Sequence, residues 1–134
     1  METRLNPQQK KCDENRNVML GKQIERILWK KRKCIDSEYT ARQLRQQLGI
    51  HEHLLAATLK SVFGTNYAGL VNRYRIALAC RMLSDERYAN ARMEDMAVWL
   101  GFKSRQGFHL AFRSEKGLSP AQYRQEALAR KAEK

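Results

Sequence analysis

Proline is nearly absent: Pro7 and Pro120 are the only two in 134 residues, and the long stretch between them holds no strong helix breaker. No segment shows the alternation of a β-strand either, so the expected class is all-α. Cysteine is equally sparse. Cys12, Cys34 and Cys80 form an odd number at wide spacing with no Cys-x-x-Cys pair, which excludes a disulfide scaffold and a cysteine-quartet zinc site. They read as reduced thiols, with Cys80 expected in the core. Long apolar runs are missing too, since Met96-Ala97-Val98-Trp99-Leu100 falls far short of the roughly 18 residues of a membrane-spanning helix. Residues 1–16 are polar and carry Glu2, Asp13 and Glu14 where a secretory signal would have an apolar stretch. The expected location is the cytoplasm, for this chain alone or as the cytoplasmic part of a longer protein.

Acidic residues are outnumbered, 14 Asp and Glu against 26 Lys and Arg, leaving a formal charge of +12. Such a balance points to a polyanionic partner, nucleic acid foremost. Hydrophobic content of 43% is enough for a core, so the charge belongs to a folded scaffold. Catalytic signatures are absent: there is no Gly-x-Ser-x-Gly elbow, phosphate-binding glycine loop or zinc-protease motif. No enzyme, cofactor or metal is expected. His51 and His53 sit two apart on a predicted helix, point in different directions and have no third ligand.

Hydrophobic periodicity organises the rest. Residues 1–16 lack it and read as a flexible tail or linker stub, ahead of a domain spanning 17–134. Leu20, Ile24, Ile27 and Leu28 form the stripe of a leading helix within 17–38, and Lys30-Lys31-Arg32-Lys33 crowd its last turn, where cations suit the helix dipole. Thr40-Ala41-Arg42-Gln43 is a capping box opening a short helix with Ala41, Leu44 and Leu48 inward. After Gly49 a second helix runs from about His51 to Phe63, with Leu55, Leu59 and Val62 on one face. The strongest helical stretch is Asn66 to Leu83, in which Tyr67, Leu70, Val71, Tyr74, Ala77, Leu78 and Met82 keep helical spacing. A polar connector, Ser84 to Ala91, leads to a helix over Arg92 to Leu100, a turn at Gly101, a helix from Ser104 to Lys116 and a stop at Gly117. Ser119-Pro120-Ala121-Gln122 then joins a capping box to proline at the first helical position and opens a final helix.

The pattern repeats. Leu48-Gly49-Ile50 corresponds to Leu100-Gly101-Phe102, after which Leu55 matches Phe108, Leu59 matches Phe112 and Gly64 matches Gly117. Each copy is short helix, glycine turn, longer helix, the order of a helix-turn-helix whose second helix enters the major groove of DNA. The expected architecture is therefore two helix-turn-helix subdomains, 39–65 and 91–131, joined by a long linker helix over 66–84, with an extra N-terminal helix.

The second copy, Gly101-Phe102-Lys103-Ser104 followed by Phe108, Ala111-Phe112-Arg113, Gly117-Leu118-Ser119-Pro120 and Tyr123-Arg124, resembles the C-terminal signature of the AraC/XylS family of bacterial transcription regulators. Met96-Ala97 and Asn72-Arg73-Tyr74-Arg75-Ile76, with Ala79 and Leu83, resemble the same family's linker region. The resemblance implies sequence-specific binding of double-stranded DNA by two recognition helices in adjacent major-groove segments. It places Arg105, Gln106 and His109 at base-reading positions. Lys103, Ser104 and Arg113 flank them, with Ser104 and the helix N-terminus suited to phosphate. Leu110 stands where the family frequently has a polar residue, and a leucine there can meet a thymine methyl.

The first recognition helix departs from this pattern. Ala56 and Ala57 occupy positions that carry polar base readers in many relatives, so direct readout there falls to His51, His53 and Lys60, and the second subdomain is expected to carry most discrimination. Val98 and Trp99 also depart, replacing residues commonly polar in similar proteins. Either Trp99 folds over the core, or the pair forms a patch for a sensor domain, another protomer or RNA polymerase. Two other functions fit parts of the same sequence: non-specific nucleic-acid binding, kept open by Ala56 and Ala57, and a helical protein-interaction module.

Overall fold

The computed structural model describes residues 7–133 and contains seven α-helices with no strand among the described residues. Helix α1, Pro7–Glu25, continues through a more widely wound turn, Arg26–Lys30. Next come α2, Ala41–Leu48; α3, Glu52–Thr58, itself prolonged by a wide turn over Leu59–Phe63; and α4, Tyr67–Leu83. The second half holds α5, Met93–Trp99; α6, Arg105–Lys116; and α7, Pro120–Ala132.

Helix starts fall where the capping chemistry places them. Thr40 and Ser119 both form complete capping boxes, with Gln43 and Gln122 reaching back to the cap backbone. Asn66 caps α4 by accepting from Gly69 N–H at 2.9 Å, and Ser104 caps α6 by accepting from Gly107 N–H at 3.0 Å. Gly49, in the turn between α2 and α3, has φ +67°, and Gly101, between α5 and α6, has φ +87°. Both turns therefore use the left-handed region that glycine enters without a Cβ penalty.

Two cores result, one per half. Ile24, Ile27, Leu28, Cys34, Leu44, Leu55, Leu59, Leu70 and Val71 make the first. Ile76, Ala79, Leu83, Met96, Ala97, Leu100, Phe108 and Phe112 make the second. Helix α4 serves both by changing its buried face midway: Leu70 and Val71 enter the first core, Ile76, Ala79 and Leu83 the second. The sequence stripe for this helix includes Leu70 and Val71 but not Ile76, Ala79 and Leu83, the buried residues of the second face, and Ala77, assigned to the stripe, is exposed.

Three other expectations are corrected. The leading helix is already formed at Pro7, inside the segment read as a tail; residues 1–6 of that segment lie outside the described ones. Pro7 suits a first turn because its missing N–H has no intrahelical partner to find, and the residues that follow bury little before Leu20, which is why periodicity is silent there. The same helix ends sooner than expected, at Lys30, because Arg32 turns left-handed at φ 60°. That conformation is uncommon for a residue with a Cβ; here Arg32 Nη1 donates to the Trp29 carbonyl at 2.8 Å and its guanidinium lies 4.5 Å from the Trp29 ring centroid. Finally, Cys34 and not Cys80 is the fully buried cysteine. It sits in the short Lys33–Ile35 turn, tucked under the first core, and burial, which disfavours the thiolate, pushes its thiol pKa up.

Candidate nucleic-acid interface

Each half offers one helix whose outward face is free of the core. In α6, Phe108 and Phe112 are fully buried, and at about 100° per residue the opposite stripe is Gln106, Leu110 and Arg113, all exposed. Leu110 is 59% exposed at its centre, an unusual place for a leucine unless an apolar group meets it. In α3, Leu55, Thr58 and Leu59 are buried, so the outward stripe is His53, Ala57 and Lys60. The two stripes match position for position along the internal repeat: His53 with Gln106, Ala57 with Leu110, Lys60 with Arg113. The repeat therefore extends from the cores, where it is visible in sequence, to the exposed faces.

The remaining expected site residues surround these stripes. Lys103 and Ser104 are exposed at the N-terminus of α6, and His51 is the exposed N-cap residue of α3. His109 is exposed on the flank of α6 that it shares with Arg105. Arg105 is not a free side chain: its Nη1 lies 2.9 Å from Glu94 Oε1 on α5, and Arg92 Nε lies 3.3 Å from the other Glu94 oxygen. Glu94 is held below its ordinary pKa by a backbone hydrogen bond at its own position and by the two arginines. The scaffold helix thus holds Arg105 beside the outward stripe, leaving Gln106 and Arg113 on it. Sequence reasoning named Arg105 but not its acidic partner, because a contact between α5 and α6 has no local signature.

The repeat also relates two grooves. One, of about 510 Å³, lies beside α3 and is lined by Ala41, Glu52, Leu55, Ala56 and Tyr67 among others. Its counterpart beside α6, lined by Met93, Arg105, Phe108, His109 and Pro120, is about 110 Å³. Longer side chains at the matched positions, Arg105 for Glu52, Phe108 for Leu55 and His109 for Ala56, fill the second groove.

Val98 and Trp99 sit on another side of α5. They are 70% and 49% exposed, so the indole is only half covered, with its edge 6.2 Å from the Tyr88 ring. Trp99, together with Arg32, Ile35, Leu78, Met82 and Tyr88, lines an apolar groove of about 410 Å³. At about 100° per residue, Trp99 and Glu94 lie on opposite flanks of α5. No group of three or more metal-ligating side chains, and no helix long and apolar enough to cross a membrane, occurs among the described residues.

Residues 44–126 match the family described as a helix-turn-helix domain. Among curated proteins, the HTH-type transcriptional regulator YisR of Bacillus subtilis is 28% identical over 104 residues, covering 75% of this chain and 35% of that protein. A second regulator of the same bacterium, YtdP, is 28% identical over 91 residues, covering 68% of this chain and 11% of its own length. The chain thus spans a minor part of both relatives. Among solved structures, the C-terminal domain of the response regulator yesN from Fusobacterium nucleatum superposes with a TM-score of 0.64 at 22% identity, covering 82% of this chain and 98% of that one. The C-terminal domain of AraT, a response regulator from Geobacillus stearothermophilus, gives 0.62 at 21% identity over 92% and 88%. A DNA-binding transcriptional dual regulator from Escherichia coli gives 0.61 at 23% identity over 72% and 83%.

Proposed function

The chain belongs to the AraC-type helix-turn-helix family, sequence-specific DNA-binding domains of transcription regulators, and on that premise we propose that α3 and α6 enter adjacent major-groove segments of one duplex. The role is binding, with no chemical step. The observation that carries this reading is the pair of matched outward stripes, His53, Ala57 and Lys60 on α3 and Gln106, Leu110 and Arg113 on α6. Gln106 has the donor and acceptor geometry for an adenine edge, Arg113 that for guanine or a phosphate, and Leu110 presents methyls to a thymine. Arg105 and His109 read or steady the flank of the same groove, with Arg105 exchanging Glu94 for a base or phosphate. Lys103, Ser104 and the first N–H groups of α6 suit a phosphate. On α3, Lys60 and the two histidines supply the polar contacts, and Ala57 leaves the centre of the stripe without a donor.

The apolar groove at Trp99 is the surface for a protein partner in this reading. Its Arg32 rim and the cation-rich turn beside it favour a segment carrying carboxylates, of RNA polymerase or of a sensor domain acting in the cytoplasm. Its place on the flank of α5 away from Glu94 lets it be occupied while α6 holds DNA.

Footprinting on a bound duplex tests the proposal. Protection of two major-groove segments on one face, about 10 base pairs apart, supports it. Uniform protection without preferred sequence would favour non-specific binding instead.

A further inference from the structure

We infer that Arg75 and Gly101 form a clasp that fixes how α3 and α6 stand relative to one another, and so determines which half-site spacing the protein accepts. The inference rests on the reading that both helices enter one duplex. Arg75 lies at the midpoint of α4, between the residues given to the first core and those given to the second. Its Nε donates to the Cys34 carbonyl at 2.5 Å, on the turn that closes the first core. Its guanidinium carbon lies 5.2 Å from the Phe102 ring centroid, and Phe102 in turn lies 5.4 Å from Phe108 of α6. One half-buried cation therefore connects a backbone carbonyl of the first half to the aromatic core that carries the second recognition helix.

Gly101 supplies the other half of the contact. A Cβ there would stand 2.5 Å from the Ile35 carbonyl oxygen and 2.7 Å from its carbon. These are backbone atoms, which cannot swing aside as a side chain can. Thus the turn between α5 and α6 abuts the Lys33–Ile35 turn of the first half backbone to backbone, and glycine serves there both for its positive φ and for this close approach. Without these contacts the two cores would be joined mainly through α4, a helix free to bend between them. Inserting one base pair between half-sites moves the second by about 3.4 Å and about 35° around the duplex axis, a change that a clasped protein cannot follow.

The test is affinity across duplexes whose selected half-sites are separated by a graded number of base pairs, measured for the chain and for Arg75→Met, Arg75→Lys and Gly101→Ala. Circular dichroism and a thermal melt establish which variants fold, and Arg75→Lys, which keeps charge but not the planar guanidinium, carries the test if the others do not. The unmodified chain is expected to lose about tenfold or more on a one-base-pair change, the scale of a serious mismatch. Folded variants are expected to lose less than about a third of that factor while binding each isolated half-site as before. A folded variant that keeps the full spacing penalty overturns the clasp. A chain that selects sequence yet tolerates every spacing overturns it too, and leaves the DNA-binding reading intact; a chain that selects no sequence overturns both.

Discussion

The two helix-turn-helix halves share a frame and differ in what fills it. The first core is aliphatic, built on Ile24, Ile27, Leu28, Leu44, Leu55 and Leu59, with α1 as an added wall. The second adds a chain of rings to its aliphatic residues: Phe102, Phe108, Phe112 and Tyr123 meet in sequence, tilted or edge to face, at centroid distances of 5.4, 6.0 and 5.4 Å. On the outside the contrast reverses sense. The face of α3 is short-armed at its centre, where Ala57 stands, whereas the face of α6 carries Gln106, Leu110 and Arg113. In the proposed reading the duplicated frame divides its labour, with both halves docking on the DNA backbone and the second expected to do most of the base reading.

The strongest way to break the comparison is through the aromatic core. Phe112→Ala removes a fully buried ring and is expected to cost about 3–5 kcal/mol, lowering the urea midpoint and abolishing binding through α6 indirectly. If near-ultraviolet circular dichroism showed the aromatic packing unchanged, the second core would not depend on that ring.

Base reading sharpens the comparison next. Gln106→Ala and Arg105→Ala are each expected to cost about 1–3 kcal/mol of discrimination at a defined base position, and His53→Ala less, in titrations on matched and scrambled duplexes. An equal or larger loss of specificity for His53→Ala reverses the ranking of the halves.

Smaller effects reach the scaffold. Thr58, on the inner face of α3, is fully buried, and its hydroxyl is without a hydrogen-bond partner. Its counterpart in α6 is Ala111, which poses no such cost. Thr58→Val is expected to raise stability by up to about 1 kcal/mol, read as a higher urea midpoint; a lower one would mean that the hydroxyl is satisfied.

The smallest effect concerns the connector before α5. Asp85 accepts from the Arg87 side chain and backbone, which lower its pKa to about 2. Because the folded value lies below the ordinary one near 3.9, its contribution is present above about pH 4 and lost as pH falls toward 2. Asp85→Asn should flatten a small part of the acid limb of a thermal-stability profile, and an unchanged limb would remove Asp85 from it.

Much of this frame is legible in sequence because it rests on local chemistry. The capping boxes at Thr40 and Ser119, the glycines at 49 and 101 and the spacing of Leu55, Leu59, Phe108 and Phe112 each announce themselves within a turn or two. What stays hidden is long-range or unburied. The start of α1 at Pro7 has no apolar face to advertise it. The burial of Cys34 depends on a left-handed Arg32, the Glu94 partner of Arg105 on the packing of α5 against α6, and the Arg75 contacts on segments far apart in the chain. The candidate site shows the same division: the exposed candidate residues of α3 and α6 follow from the repeat and the family resemblance, and the ion pair that holds one of them does not.

Selection of bound sequences from random duplex DNA, with the information at each base position measured, tests most directly whether two unlike halves read one site. Two half-sites about 10 base pairs apart, with more information in the one that Gln106→Ala weakens, are the expected result. An absence of enriched sequence, or greater information in the half-site that His53→Ala weakens, would contradict it.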